Sequence, residues 1–433
     1  MVHFKIYAFV LSSLLFSVSL NAGVCTAGMA DGFPCNHVDA ISILDLKTSG
    51  LEAESGNDVW GWTDPLTGRE YAIMGMSSKT AFVDITDPTH PIHLGDLATH
   101  SKNSIWRDIK VYKNHAFIVS EASHHGLQVF DLKKIRDVNA SPAVEFTETA
   151  HYNLFGSAHN VVINEDRGTL YAVGSDTCDN GMHMVDIREP QNPKFITCID
   201  RKIFEPEETR SFALRAQDDF LSLKHGEDYT HDAHCVVYQG PDLKYIGQEI
   251  CVCSNADTVN IVDTTDWMHP VQISVKGYEG LGYTHQGWLT EDHRYFLLGD
   301  ELDEQWYRHP TKTLIWDVSN LEDPKYIGFY LHETHAIDHN MYVKEKYLYQ
   351  ANYESGLRIL SLENVQEAKL KEVAYFDTYP DSDKAQFNGA WSVFPYFQSG
   401  TVVVSNIEGQ LFVLRPHLEE VSIVSNAVTK NGK

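Results

Sequence analysis

FVDITDPTHP (82–91) is the stretch that decides the fold, because drifting copies of it return along the whole chain. They read VFDL (129–132), MVDIREPQNP (184–193), IVDTTDWMHP (261–270), IWDVSNLEDP (315–324), ILSL (359–362) and FVLRP (412–416). Self-similarity at a period of roughly 45 to 55 residues, built of β-type residues, is the signature of propeller blades. Each repeat divides into four short strands, A to D, separated by turn residues. In the third these are HNVVIN, TLYAVGS, GMHMVDI and KFITCI; in the second, SIWRDIKVY, HAFIVSE, GLQVFDL and AVEFTET (143–149).

The first repeat starts near Trp60, the fourth opens with HCVVYQ (234–239), and the seventh lacks a fourth strand. AISILDL (40–46) precedes the first repeat and has no blade of its own. It is expected to supply the missing outer strand of the last blade, since an open ring would expose sheet edges. The expected fold is an all-β, seven-bladed β-propeller over residues 39–416, closed by an N-terminal strand. One segment, 201–228, breaks the rhythm, and its apolar residues among charges predict a short amphipathic helix between blades three and four. The Asp that ends each strand C (Asp84, Asp131, Asp186, Asp263, Asp317) is expected to cap the turn that follows.

The balance of 34 basic against 60 acidic residues gives a net charge of −26. Such a surface repels phosphate backbones and anionic lipid, which argues against nucleic-acid partners and membrane insertion. Residues 1–22 read as a signal peptide: Lys5 supplies the positive region, Ile6–Leu20 the apolar core, and cleavage falls near Ala22. The mature protein is therefore expected to be secreted or displayed at the cell surface, with the periplasm as the other exported destination. Residues 23–38 form an N-terminal loop and 417–433 a polar tail. Export makes disulfides plausible among the seven cysteines. Cys25 and Cys35 bracket the N-terminal loop, Cys178 and Cys198 flank the third VDI strand, and Cys235 can pair with Cys251 or Cys253.

In a propeller the start of strand A and the end of strand B share one mouth of the central channel. Alignment on the hydrophobic strands places Asp108, His159, His234, Gln286 (beside His285) and His339 at the first position. Glu121, Asn255, Asp300 and Asn352 fall at the second, with Glu301 next to Asp300. Imidazoles and carboxylates converging from separate strands suit a divalent ion, of the zinc class for nitrogen donors or the calcium class for oxygens. His159, His234, His285 and His339 are the expected metal ligands. The acidic run Asp300, Glu301, Asp303, Glu304 lacks EF-hand spacing and reads as a funnel-rim cation site or a solvated loop. The chain carries no GxSxG, phosphate loop, dinucleotide fingerprint or CxxC.

Long stretches are similar to a known family: WGWTDPLTGREYAIMG (60–75), SIWRDIKVYKNHAFIVSEA (104–122), FTETAHYN (146–153), THDAHCVVYQGPD (230–242), YTHQGWLTEDHRYFLLGDELDE (283–304), IDHNMYVK (337–344), YQANYESGLRIL (349–360) and FNGAWSVFPY (387–396). With these the chain resembles the choice-of-anchor B family, exported proteins built from LVIVD-type β-propeller repeats. The resemblance implies a fold and a compartment; the family has no established reaction, so it supplies no catalytic residues. Two departures are the longer 201–228 segment and the absence of a sorting signal after Pro416, which makes free release the expectation.

Three functions fit these observations. The first is an exported propeller holding a cation or small polar ligand, glycans included, in its axial funnel. The second is a metal-dependent hydrolase or lyase using the same residues. The third is a structural adhesion module that acts through its outer surface.

Overall fold

The computed structural model describes residues 20–21, 23–48, 53–138, 142–200 and 229–418. Seven sheets follow one another in chain order, each a blade whose strands A to D pair antiparallel. Their innermost strands A are Gly56–Thr63, Arg107–Tyr112, Asn160–Asn164, Asp232–Val237, Thr284–Leu289, Met341–Lys344 and Ala390–Phe394. The chain is thus a seven-bladed, nearly all-β propeller. The repeated β-branched runs become strands B and C, buried on both faces between neighbouring blades.

Ring closure follows the expectation. Val38–Asp45 lies antiparallel on Gln410–Pro416 as the outer strand of blade seven, with Val38 opposite Pro416 and Asp45 opposite Gln410. Leu20–Asn21 pairs with the outer edge of that strand; the remainder of the expected signal peptide lies outside the described residues. The expected helix of 201–228 lies outside them as well. The helix that is described, Asp303–Tyr307, sits in the B-to-C connection of blade five.

Blade two departs from its reading. Val144–Phe146, read as its strand D, pairs in parallel with Ile92–Ala98 on the edge of blade one. Ala150–Tyr152 takes the fourth place in blade two instead. Packing explains the exchange, because Phe146 meets Phe82 and Phe130 across the two blades at 5.6 and 5.3 Å between ring centroids. Burying three rings together outweighs one short antiparallel ladder.

The Asp after each strand C does cap its turn. Carboxylate oxygens of Asp84, Asp131, Asp186, Asp263 and Asp317 accept from the backbone N–H two residues on, at 2.8–3.1 Å. Disulfides join Cys25–Cys35, Cys178–Cys198 and Cys235–Cys251. Cys251 takes Cys235 because the two are direct cross-strand partners, which leaves Cys253 a buried thiol pushed up to about 12 by burial. The Cys25 loop continues into Phe33–Asn36, which extends the outer edge of blade six. Three disulfides suit an oxidising compartment. Among the described residues no helix is long and apolar enough to cross a membrane.

Strand A of each blade has one edge with no strand beside it, so its backbone groups need side-chain partners. Neighbouring blades supply them. Asp58 accepts from Ile109 N–H at 3.0 Å and Asp108 from Val161 N–H at 2.7 Å. Asn160 donates to the His231 carbonyl at 3.2 Å. Gln286 clasps Met341 at both ends, accepting from its N–H at 2.9 Å and donating to its carbonyl at 3.1 Å. Asn340 reaches Ser392 of blade seven at 3.3 Å. Each staple comes from the second residue of a recurring pair on the inner strand: 57–58, 107–108, 159–160, 285–286 and 339–340.

Two measurements test this packing. Phe82→Ala should lower the unfolding free energy by about 3–5 kcal/mol in denaturant titration, the cost of a large aromatic cavity. The second concerns buried histidines. Burial, reinforced by Arg107, brings His125 down to about 3, and burial brings His332 down to about 3. Both stay neutral when folded and gain protons near the ordinary 6.5 when unfolded, so their stability is present above that pH and lost as pH falls toward 3. Between pH 6.5 and 4.5 stability should drop by about 1.4 kcal/mol per pH unit for each histidine. The slope should be shallower in His332→Gln.

Candidate metal centre

The first residue of each recurring pair faces the mouth of the channel in four successive blades. His159, His231, His285 and His339 stand immediately before Asn160, Asp232, Gln286 and Asn340 at the start of strand A. Their rings form one continuous row, with centroids 4.3 Å apart for His159–His231, 4.3 Å for His231–His285 and 4.4 Å for His285–His339. The equivalent residues of blades one and two are Asn57 and Arg107. Arg107 turns away between blades to Met76 O and His125.

Hydrogen bonds orient three of the rings. His231 Nδ1 lies 2.9 Å from the His285 carbonyl, and His339 Nδ1 bonds the Trp391 carbonyl. A carbonyl can only accept, so each Nδ1 carries the proton and each Nε2 keeps its lone pair. His159 Nδ1 sits 2.5 Å from Glu121 Oε1. His285 is different: its Nδ1 is buried with no hydrogen-bond partner, and its Nε2 stands 3.8 Å from Glu301, outside hydrogen-bonding reach.

Glu301, directly after strand B of blade five, lies against the row. Its oxygens lie 3.8 Å from His285 Nε2 and 3.7 Å from His339 Nε2, and Tyr353 OH donates to it at 2.9 Å. Tyr229 and Tyr283 join their hydroxyls beside His231.

Burial keeps three rings neutral. It holds His231 and His285 well below the ordinary value, with repulsion from neighbouring imidazoles adding to it, and brings His339 to about 3. His159 goes the other way: burial opposes its cation, but the Glu121 carboxylate outweighs that and holds the ring above its ordinary value. Burial raises Glu301 to about 7. The row therefore offers neutral nitrogen donors with a carboxyl that gains or loses its proton near neutrality, the donor set that transition ions take.

Of the residues expected at the funnel, His159, His285, His339, Glu121 and Glu301 come together in this row. Asp108 and Gln286 lie one step deeper and are spent on the blade-to-blade staples. Asp300 turns aside, accepting from Gly282 N–H, Tyr283 N–H and Tyr278 OH. Asn255 and Asn352 are buried at the ends of their strands B. His234 sits further along strand A, stacked face to face on Trp288 at 3.6 Å, and its Nδ1 accepts from Leu289 N–H at 3.1 Å. His231 takes the place in the row that His234 was expected to fill. The sequence carried a signal for it: YTHD (229–232) aligns on YTHQ (283–286), so His231 is the counterpart of His285.

Below the row, Lys110 forms an ion pair with Asp108 at 2.7 Å and lies 3.7 Å from Asp58 and 4.7 Å from the Trp60 ring centroid. Burial, with Asp108 adding repulsion, raises the nearby Asp232 to about 7. The opposite end of the channel opens into a cavity of about 930 Å³ walled by Trp60, Trp62, Trp288, Tyr342 and His234. The nitrogen donors converge at the other mouth.

Other groupings could also hold a metal: His285–Glu301–His339 within the row, His100–Glu148–His151 at the outer part of blade two, and Asp303–Glu304–His309. A fourth, Cys178–His183–Cys198, has both sulfurs tied up in a disulfide.

No known protein-family model matches the chain, and no curated protein matches it. Among solved structures it is similar to the β-propeller domain of Myceliophteria thermophila Cps50 (Swd1), at 12% identity and a TM-score of 0.48, over 79% of this chain and 92% of that one.

Removing the Glu121 charge tests the electrostatics of the row. In metal-free protein, Glu121→Gln should lower the His159 pKa below its wild-type value, read from the imidazole Cε1–H proton resonance against pH. An unchanged titration would show that Glu121 does not govern this ring.

Proposed function

We propose that the chain is an exported metal-binding propeller of the choice-of-anchor B type, whose axial histidines hold one divalent transition ion. The observation that carries this reading is His285, a buried imidazole with no hydrogen bond to its Nδ1, set between two rings whose Nε2 lone pairs are left free. A buried polar group without a partner is costly, and coordination is one way to satisfy it.

Ring spacing supports the same reading: neighbouring rings stand 4.3, 4.3 and 4.4 Å apart, close enough for adjacent nitrogens to share an ion. His159, His231, His285 and His339 would be the ligands. The hydrogen bonds to the Trp391 and His285 carbonyls and to Glu121 would orient them.

A metal-dependent hydrolase or lyase is the second reading, and Glu301 favours it. Its oxygens lie 3.7–3.8 Å from His339 and His285 Nε2, where a carboxylate beside a Lewis acid is placed to accept a proton from water or substrate. An adhesion role through the outer surface needs no ion.

Elemental analysis of protein purified without chelator or affinity metal tests these readings. About one transition ion per chain is expected, with binding weakened at least tenfold in His231→Ala and His285→Ala and retained in His234→Ala. No metal, together with a melting temperature indifferent to chelator, would leave the adhesion role in front.

A further inference from the structure

The cavity of about 930 Å³ at the far end of the channel has a chemically mixed lining that the histidine row does not use. Aromatic rings form part of its wall. Trp288 is half-buried with His234 flat against it at 3.6 Å, and Tyr342 meets Trp288 and Trp60 edge-on, 4.9 and 5.5 Å between centroids. Lys110 from strand A of blade two and Asp232 and His234 from strand A of blade four line the same space.

Each of these three polar groups has bonding capacity to spare. Asp58, Asp108 and Gln286 accept from the N–H just past the paired residue of the next blade, at Ile109, Val161 and Met341. The same pattern would send Asp232 to Gly287. Its carboxyl accepts instead from the adjacent Ala233 N–H at 2.7 Å, and among the described residues it makes no bond to blade five. His234 Nδ1 accepts from Leu289 N–H at 3.1 Å, so in the neutral ring the proton sits on Nε2. Burial holds that ring neutral, at about 3. Its Nε2–H has no partner among the described residues. Lys110 Nζ gives one hydrogen bond, to Asp108 at 2.7 Å, and an ammonium has three donors.

This lining narrows the ligand by elimination. An anion would meet Glu165, Asp166, Asp232 and Glu291 in the same wall. An organic cation would find Lys110 already 4.7 Å from the Trp60 centroid, where a ligand ammonium would otherwise sit. A wholly apolar molecule would strip water from Lys110, Asp232 and His234 and return nothing. A neutral polyhydroxylated ring suits all of them, because its C–H face covers aromatic surface while its hydroxyls both donate and accept.

We propose that the far cavity is a saccharide site, in which a neutral sugar lies against Trp288 and bonds Asp232, His234 and Lys110 through its hydroxyls. A cavity of this size falls within the range of small-molecule sites. The site stands whether or not the histidine row holds an ion.

A glycan array tests this, spanning neutral hexoses and N-acetylhexosamines, uronic and sialic acids, and free amino sugars. It is probed with the labelled full chain in chelator, and the best-bound glycan is then titrated free in solution by calorimetry. Neutral saccharides should bind, with affinity lowered by roughly tenfold or more in Asp232→Asn and in Trp288→Ala and unchanged in His339→Ala. The wild-type array needs no variant to fold, and Asp232→Asn removes no bond between blades. An array with no neutral saccharide bound, or one that prefers acidic or amino sugars, would overturn the proposal. So would affinity undiminished in both cavity variants, or affinity lost in His339→Ala.

Discussion

The free edge of each innermost strand is the constraint on which the rest depends. Seven strands A stand around an axis with no strand between them, so their backbone N–H and C=O groups must find partners or remain costly orphans. Asp58, Asp108, Asn160 and Gln286 supply those partners one blade along, and Asn340 adds a tie to the Ser392 hydroxyl of blade seven. A side chain that must reach the next blade from this position has to be short, polar and fixed. Asp, Asn and Gln therefore recur there, whatever the function of the channel.

The residue one place before the staple position stands at the mouth end of strand A. In blades three, five and six its neighbour is anchored across the gap and the histidine projects at the mouth; in blade two Arg107 turns away instead. Placing histidine there in four consecutive blades turns a structural device into a row of imidazoles at nearly constant spacing. Rigidity of this kind is what a metal centre needs, because ligand geometry is set by the scaffold before any ion arrives. Deeper in the channel Lys110 pairs with Asp108 at 2.7 Å and lies 3.7 Å from Asp58.

The fold was legible because its signal is redundant: seven drifting copies of one strand-and-turn phrase, five of them with an Asp that caps its own turn. The closing strand was legible because AISILDL had no other place to go. Blade two misled because AVEFTET has strand composition and lies at the right interval. What moved Val144–Phe146 to blade one was the fit of Phe146 between Phe82 and Phe130, a contact between repeats that no local pattern encodes. His231 was displaced by His234 for a related reason. Alignment on apolar residues favours HCVV, whereas the position that matters is set by the polar pair His231–Asp232. Asp108 and Gln286 looked like ligands because a staple and a ligand draw on the same residue types. Only the partner atoms distinguish them.

The pairing of Val38–Asp45 with Gln410–Pro416 also bears on how the chain reaches its native state. Those partners are nearly the full domain apart in sequence, so the last blade cannot close until its C-terminal strands have been made. Contacts of such long separation slow folding, because loop-closure entropy is spent before the contact rewards it. During synthesis the early strand emerges first and waits with bare edges until its distant mate leaves the ribosome. The time between the two is the interval in which this molecule is most open to mispairing with another copy of itself.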